Sequence, residues 1–215
     1  MVKAKTKPKG ATSYQETAFG IISRSELIKL EIEGTKRGFE YIYELIQKGK
    51  VSKITPDLIC KLHKVSFAWI FPKWAGKYRK IQVTYSSKEA PPHYQVPELT
   101  INLCKDLTER LKFLPTKDQE NFIFKVIELL AWFQHRFVFI HPFQDYNGRL
   151  ARMLTTFILL KLNLPPIELK AETGEDRKRY LKAMQKADVG DLASLEILIN
   201  NALSESLEKI KIDKD

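Results

Sequence analysis

Apolar residues recur at three- and four-residue spacings along most of the 215-residue chain, the period of helices that bury one stripe. Ser13 and Glu16 have the spacing of a capping box, and Ala18, Ile21, Ile22 and Ile28 follow at helical intervals. A first helix is therefore expected over about 13–34, stopped by Gly34. Its last stretch, LEIE, alternates as a strand would, but is short. Thr35 then caps a second helix with Phe39, Ile42, Leu45 and Ile46 on one face, ended by Gly49. A third opens near Pro56 and carries Leu58, Ile59, Leu62 and Val65 on to Phe71, where Pro72 closes it. Between Gly76 and Pro97 the period changes. YRKIQVTY alternates as a short strand, and the APPH after it suits neither a helix nor a central strand. A hairpin or flap is predicted there. Helical spacing returns over 98–111, 118–137, Asn147 to just before Asn163, 174–187 and 191–209. The expectation is an all-α bundle of about eight helices with a short β-hairpin flap. No repeat or linker divides it, so one domain is expected over about 13–210, behind a basic tail at 1–12.

Composition narrows the class. A hydrophobic content of 44%, with 11% aromatic residues, is enough for a real core. The longest apolar runs, VIELLAWF and TTFILLKL, are too short or too interrupted to span a bilayer, so no membrane segment is expected. MVKAKTKPKG is basic without an apolar stretch behind it, which is not the pattern of a secretory signal. Cys60 and Cys104 make neither a disulfide framework nor a metal set, so a reducing, cytoplasmic setting is expected. The net charge of +10 includes Lys3, Lys5, Lys7 and Lys9 of the tail; the rest is dispersed, without a helix-turn-helix, zinc finger or aromatic RNA-binding motif. Nucleic acid is the minority reading. An anionic small molecule fits the charge as well.

The chemistry concentrates in HPFQDYNGRLAR, residues 141–152. Pro142 disfavours helix at His141, so HPFQDY is a loop between two helices. From Asn147 an apolar stripe of Leu150, Met153, Leu154, Phe157 and Ile158 marks the second helix, with Arg149 and Arg152 on its other face. A helix N-terminus offers N–H groups and a positive dipole end, and two arginines beside it suit a polyphosphate. Asp145 is a candidate Mg²⁺ ligand, since Mg²⁺ commonly shares its coordination with substrate phosphates. His141 is a candidate general base or acid over the same anion. Taken singly, each residue has an ordinary structural explanation: a buried histidine, an Asp-Tyr-Asn-Gly turn, solvated arginines. Their conjunction at the mouth of one buried helix favours a site.

This segment resembles the Fic (filamentation induced by cAMP) motif, HPFx(D/E)GNGRxxR, with Tyr146 in place of the first glycine. WAGKYR and QVTYSS…APPHYQVPEL are similar to the family's target-docking flap, QHRFVFIHPF to the helix that delivers the motif, and RYLKAMQKADVGDLASL to the stretch that carries the base. The resemblance covers about residues 14–205. It implies transfer of AMP from ATP to a Ser, Thr or Tyr hydroxyl of a target protein. His141 would deprotonate the hydroxyl, and Asp145 would bind Mg²⁺. Asn147 would orient the α-phosphate. Gly148 would line the anion hole, and Arg149 and Arg152 would hold the β- and γ-phosphates. Phe143 would anchor the loop. The flap, through Ile81, Val83 and Tyr85, would hold the target by strand addition. Tyr180 would meet adenine. Leu181 and Asp188 depart from the usual second aromatic and asparagine, so another nucleotide is the alternative.

KLEIEG, residues 29–34, resembles the family's inhibitory motif (S/T)xxxE(G/N), with Lys29 where a hydroxyl residue is usual. The resemblance makes Glu33 the partner of Arg152, occupying the γ-phosphate's place. It also brings hydrolytic removal of AMP and a homodimer into view. The bland reading of Glu33-Gly34 is an ordinary helix end. Tyr146 is expected to pack beside the loop or rim the target groove, at a cost of roughly 1–2 kcal/mol for left-handed backbone. The rival readings are kinase-like phosphate transfer and a silent binding module, against which the intact His141, Asp145, Asn147, Arg149 and Arg152 count.

Overall fold

The computed structural model describes residues 4–5, 14–49, 51–86 and 88–212. Seven α-helices lie among them: α1 Arg24–Gln47, α2 Pro56–Phe67, α3 Val96–Lys112, α4 Phe122–Ile140, α5 Asn147–Lys161, α6 Gly174–Ala187 and α7 Ala193–Ile212. The strands are short: β1 Ala4–Lys5, β2 Tyr14–Thr17, β3 Gly20–Ser23, β4 Val83–Tyr85 and β5 Lys88–Glu89. β4 and β5 form the predicted flap hairpin, with Thr84 opposite Glu89, and β1 pairs in parallel with Val83 and Thr84. The fold is mainly helical, as the spacing predicts. No helix among the described residues is long and apolar enough to cross a membrane.

The first forty residues differ from expectation. Ser13 and the basic tail, apart from Ala4 and Lys5, lie outside the described residues. Residues 14–23 form an antiparallel hairpin, with Tyr14 opposite Ser23. The helix expected over 13–34 starts only at Arg24, capped by a box in which Ser23 and Glu26 satisfy each other's backbone N–H. Gly34 does not end it. LEIE is helical, Thr35 bonds back to the Glu31 carbonyl at 2.8 Å, and one helix replaces two. The reason is packing. A Cβ on Gly34 would stand 2.5 Å from the Ser66 carbonyl oxygen, and one on Gly38 2.6 Å from Met153 Sδ. Both glycines let α1 and α2 approach closely, so Gly34 does here what no side chain could. α2 is capped by Thr55 Oγ1 at 3.1 Å and ends at Phe67, four residues short of the expected Phe71.

The chain divides into two compact units, Met1–Cys104 with Phe137–Met153, and Lys105–Arg136 with Leu154–Asp215. In the first, α1 buries Leu27, Glu31, Gly34, Gly38, Ile42 and Leu45 on one stripe. Ile59, Leu62, Phe67, Phe137, Phe143 and Leu150 are fully buried in the same unit. The motif loop belongs entirely to it.

Candidate functional site

α4 carries Phe137 and Ile140 in the core and ends at the motif. His141 then turns out of the helix into the left-handed region, φ +50°, with Pro142 after it disfavouring αR. Its Nδ1 lies 3.1 Å from the Val138 carbonyl oxygen. A carbonyl only accepts, so Nδ1 carries the proton and Nε2 the basic lone pair. Tyr85 of the flap stacks on the imidazole, centroids 4.5 Å apart and planes at 11°. The buried Phe143 is held from both ends by Asn147: its N–H donates to Oδ1 and its carbonyl accepts from Nδ2, both at 2.9 Å. The carboxamide expected to orient a phosphate thus cinches the loop. Asp145 Oδ1 accepts the Tyr146 N–H at 2.7 Å. The Tyr146 carbonyl accepts from Leu150 N–H at 3.0 Å, so the N–H groups of the first turn of α5 head the helix dipole.

Tyr146 occupies the left-handed region, φ +62°, where glycine would be unstrained. Its ring does not rim a groove. It is buried, stacks on Phe67 at 4.2 Å, and lies against Phe71 and Trp74. Those contacts offset the roughly 1–2 kcal/mol of backbone strain. Its hydroxyl donates to Glu31 Oε1 at 2.9 Å.

Glu31, 2% exposed, collects three partners. Arg24 bonds it bidentately, Nη1 to Oε1 and Nη2 to Oε2, and Arg149 Nη2 donates to Oε2 at 2.9 Å. Burial alone would raise its pKa. The Arg24 hydrogen bonds, the Arg149 charge and the Tyr146 hydroxyl outweigh burial and hold the carboxyl below its ordinary value. Burial and the adjacent Glu31 charge push the Tyr146 phenol far above its usual range, so it stays a donor.

Glu33, expected against Arg152, instead accepts from Arg37 Nε at 3.1 Å on a half-exposed surface. The continuity of α1 explains the change. Residues 31 and 33 stand ~200° apart on one helix, so a buried Glu31 turns Glu33 outward. The carboxylate that meets the motif is Glu31, and it meets Arg149. Arg152 is half-buried, its Nη1 3.5 Å from where a Cβ on Gly148 would be, so its guanidinium folds back over the first turn of α5.

Two further residues hold the loop. His63 is completely buried on α2. Its Nδ1 accepts the Gly76 N–H at 2.8 Å, so Nε2 carries the proton and donates to the Asp145 carbonyl at 3.1 Å. The ring stacks on Phe143 at 3.9 Å, and burial pushes its pKa down to about 3. Buried Arg79 donates through Nε to the His141 carbonyl at 2.7 Å, and through its terminal nitrogens to the carbonyls of Ile81, Pro91 and Ile140. Sequence reasoning assigned neither a role. The buried stripe of α2 contains a polar His63, and that was the available signal.

On the flap, Val83 is buried, Ile81 is 38% exposed and Tyr85 is half-buried. In the second unit, Tyr180 is buried, and its hydroxyl accepts from Gln134 Nε2 at 2.8 Å; Thr155 Oγ1 donates to Gln134 Oε1. Asp188 pairs with His135 at 3.1 Å.

Residues 53–159 match the family model described as Fic/DOC family. The chain is 33% identical over 178 residues to "Protein adenylyltransferase Fic" of Nematostella vectensis, covering 82% of this chain and 38% of that protein. It is 28% identical over 162 residues to "Protein adenylyltransferase fic-1" of Caenorhabditis elegans, covering 75% of this chain and 30% of that protein. The chain thus spans between 30% and 38% of the length of such relatives. Among solved structures, C. elegans Fic-1 superposes with a TM-score of 0.60 at 23% identity, over 82% of this chain and 51% of that one. BepC of Bartonella tribocorum, solved with bound AMPPNP, gives 0.66 at 17% identity, over 91% and 94%. These likenesses establish the fold, and with the motif at 141–152 and the match over 53–159 the chain belongs to the Fic/DOC family.

Proposed function

We propose that the chain transfers AMP from ATP to a Ser, Thr or Tyr hydroxyl of a protein target. The observation that carries this reading is the proton arrangement on His141. With Nδ1 engaged at Val138, Nε2 is the nitrogen able to take the proton of an incoming hydroxyl. The hydroxyl oxygen bonds the α-phosphorus as its proton passes to Nε2, and the bond to the pyrophosphate oxygen breaks. The helix N-terminus at Asn147, with Gly148, Arg149 and Arg152, would receive the phosphates. The relatives named as adenylyltransferases and the AMPPNP-bound neighbour support ATP as the donor.

A magnesium ion would fit through Asp145. Among the described residues there is no cluster of three metal-ligating side chains. A single carboxylate suits Mg²⁺, which takes its other ligands from water and substrate phosphates. When bound, it would neutralise phosphate charge. Asp145 is itself held by His63 at its carbonyl and by the Tyr146 N–H at Oδ1. Ile81, Val83 and Tyr85 of the flap would hold the target, but β4 lies between β1 and β5, so a target strand would have to take the place of Ala4 and Lys5. Tyr180 would meet the base, and Tyr180→Ala should then raise KM for the nucleotide.

The test is incubation with α- or γ-labelled ATP, using wild type and His141→Ala. Label from the α-position alone, lost in the variant, supports AMP transfer. Label from the γ-position indicates a kinase, and none from either a binding module. Running ATP, UTP, CTP and GTP in parallel reads the base.

A further inference from the structure

We infer that Glu31 is a positioning residue of the phosphate site, anchoring Arg149 directly and the turn ahead of α5 through the Tyr146 hydroxyl, so that α1 is a working part of the site. This rests on reading the N-terminus of α5 as the place where phosphates bind.

Three observations carry it. First, charge: Arg24 and Arg149 share one carboxylate, so the trio of +1, −1 and +1 keeps a net +1. Glu31 alone facing Arg149 would cancel its charge; with Arg24 present, the cluster still attracts an anion. Second, geometry: Arg149 is held by one terminal nitrogen, and its guanidinium lies over the Tyr146 ring, 5.5 Å from the centroid. A planar guanidinium restrained at Nη2 and along one face keeps a fixed orientation beside the N-terminus of α5. Third, packing: Glu31 is buried on a helix whose Gly34 and Gly38 lie against Ser66 of α2 with no room for a Cβ between them. Tyr146, where the motif ordinarily has glycine, completes the node. Its ring is locked among Phe67, Phe71 and Trp74, and its hydroxyl reports the position of α1 to the backbone preceding Asn147.

The experiment uses the full chain with Glu31→Gln and Tyr146→Phe, and Arg149→Ala as reference. Binding of ATP and of inorganic tripolyphosphate is measured by calorimetry, and KM and kcat by transfer of α-label. Glu31→Gln should weaken both ligands about tenfold, as expected for a misplaced charged clamp. Tyr146→Phe should weaken them several-fold, with the loss in KM rather than kcat. In the Arg149→Ala background, Glu31→Gln should add little, since the anchored group is gone. Tighter ATP binding with faster transfer in Glu31→Gln would make the residue a brake and overturn the inference. A lowered Tm with unchanged affinities would reduce it to a purely structural role and overturn it equally. If Glu31→Gln does not fold, Tyr146→Phe, which keeps its packed ring, decides alone. Wild type that binds tripolyphosphate and not ATP would sink the adenylyltransferase reading while leaving Glu31 testable on the inorganic probe.

Discussion

Replacing His63 by phenylalanine while varying pH probes how the motif loop is held. The folded protein keeps His63 neutral, with its pKa pushed down to about 3 by complete burial, against an ordinary value of 6.5. Between those values the unfolded chain binds a proton that the folded one does not. Stability from this residue is therefore complete above about pH 6.5 and is lost as pH falls, by about 1.4 kcal/mol per unit. From pH 6.5 to 4.5 the loss should be roughly 2–3 kcal/mol, a large share of an ordinary domain's total. His63→Phe keeps a ring against Phe143 and deletes both nitrogens, leaving the Gly76 N–H and Asp145 carbonyl without them, at about 1–3 kcal/mol each. The variant should be less stable at pH 7.5, yet its stability should fall less steeply with acid, so the two curves converge. Urea unfolding at half-unit steps from pH 7.5 to 4.5 reads this directly. Glu31, whose pKa is lowered, contributes above the ordinary carboxylate value and loses its share only at more acidic pH. Parallel curves would refute the buried, neutral, doubly bonded His63.

Three further outcomes are expected. Tyr146→Gly relieves about 1–2 kcal/mol of strain but deletes a buried ring worth about 3–5, so it should destabilise by roughly 2–3 kcal/mol and lower Tm by roughly 5–10 °C in calorimetry. Gly34→Ala forces a Cβ to 2.5 Å from the Ser66 carbonyl and should cost about 1–3 kcal/mol in chemical denaturation, although alanine is the better helix former. Glu33→Ala, on the outward face beside Arg37, should leave self-labelling with α-labelled ATP unchanged; a several-fold gain would restore Glu33 as an inhibitory residue and oppose the placement of α1.

The later helices were legible because their signals are local. Period, caps and prolines set α3 to α7 within a few residues, and the change of period at Gly76 marks the flap. The N-terminal segment was not, because its sequence offers the same signal twice. SYQE at 13–16 and SRSE at 23–26 both have capping-box spacing, and the pairing of Tyr14–Thr17 with Gly20–Ser23 decides which one caps a helix. Gly34 read as a stop because sequence does not show Ser66 lying against it. The candidate site divides the same way. His141, Asp145, Arg149 and Arg152 were found as a motif, and the structure gathers them at one loop and helix end. Glu31 and His63 were missed because a single polar residue on an apolar stripe declares nothing about its partner. The partners that tie them to the motif lie far along the chain, at Tyr146 and Arg149 for one and at Asp145 for the other.

Arg79 has a consequence for how a target would be measured. One guanidinium grips the carbonyls of His141 and Ile140 on one side and those of Ile81 and Pro91 on the other. His141 and the flap strand are therefore gauged from a single datum only four residues before β4. Three residues, 80–82, separate Arg79 from Val83. Removing one residue there would slide β4 by one position and turn Val83 out and Thr84 in. Lengthening the connection from β4 to β5, beyond the datum, would leave that register untouched.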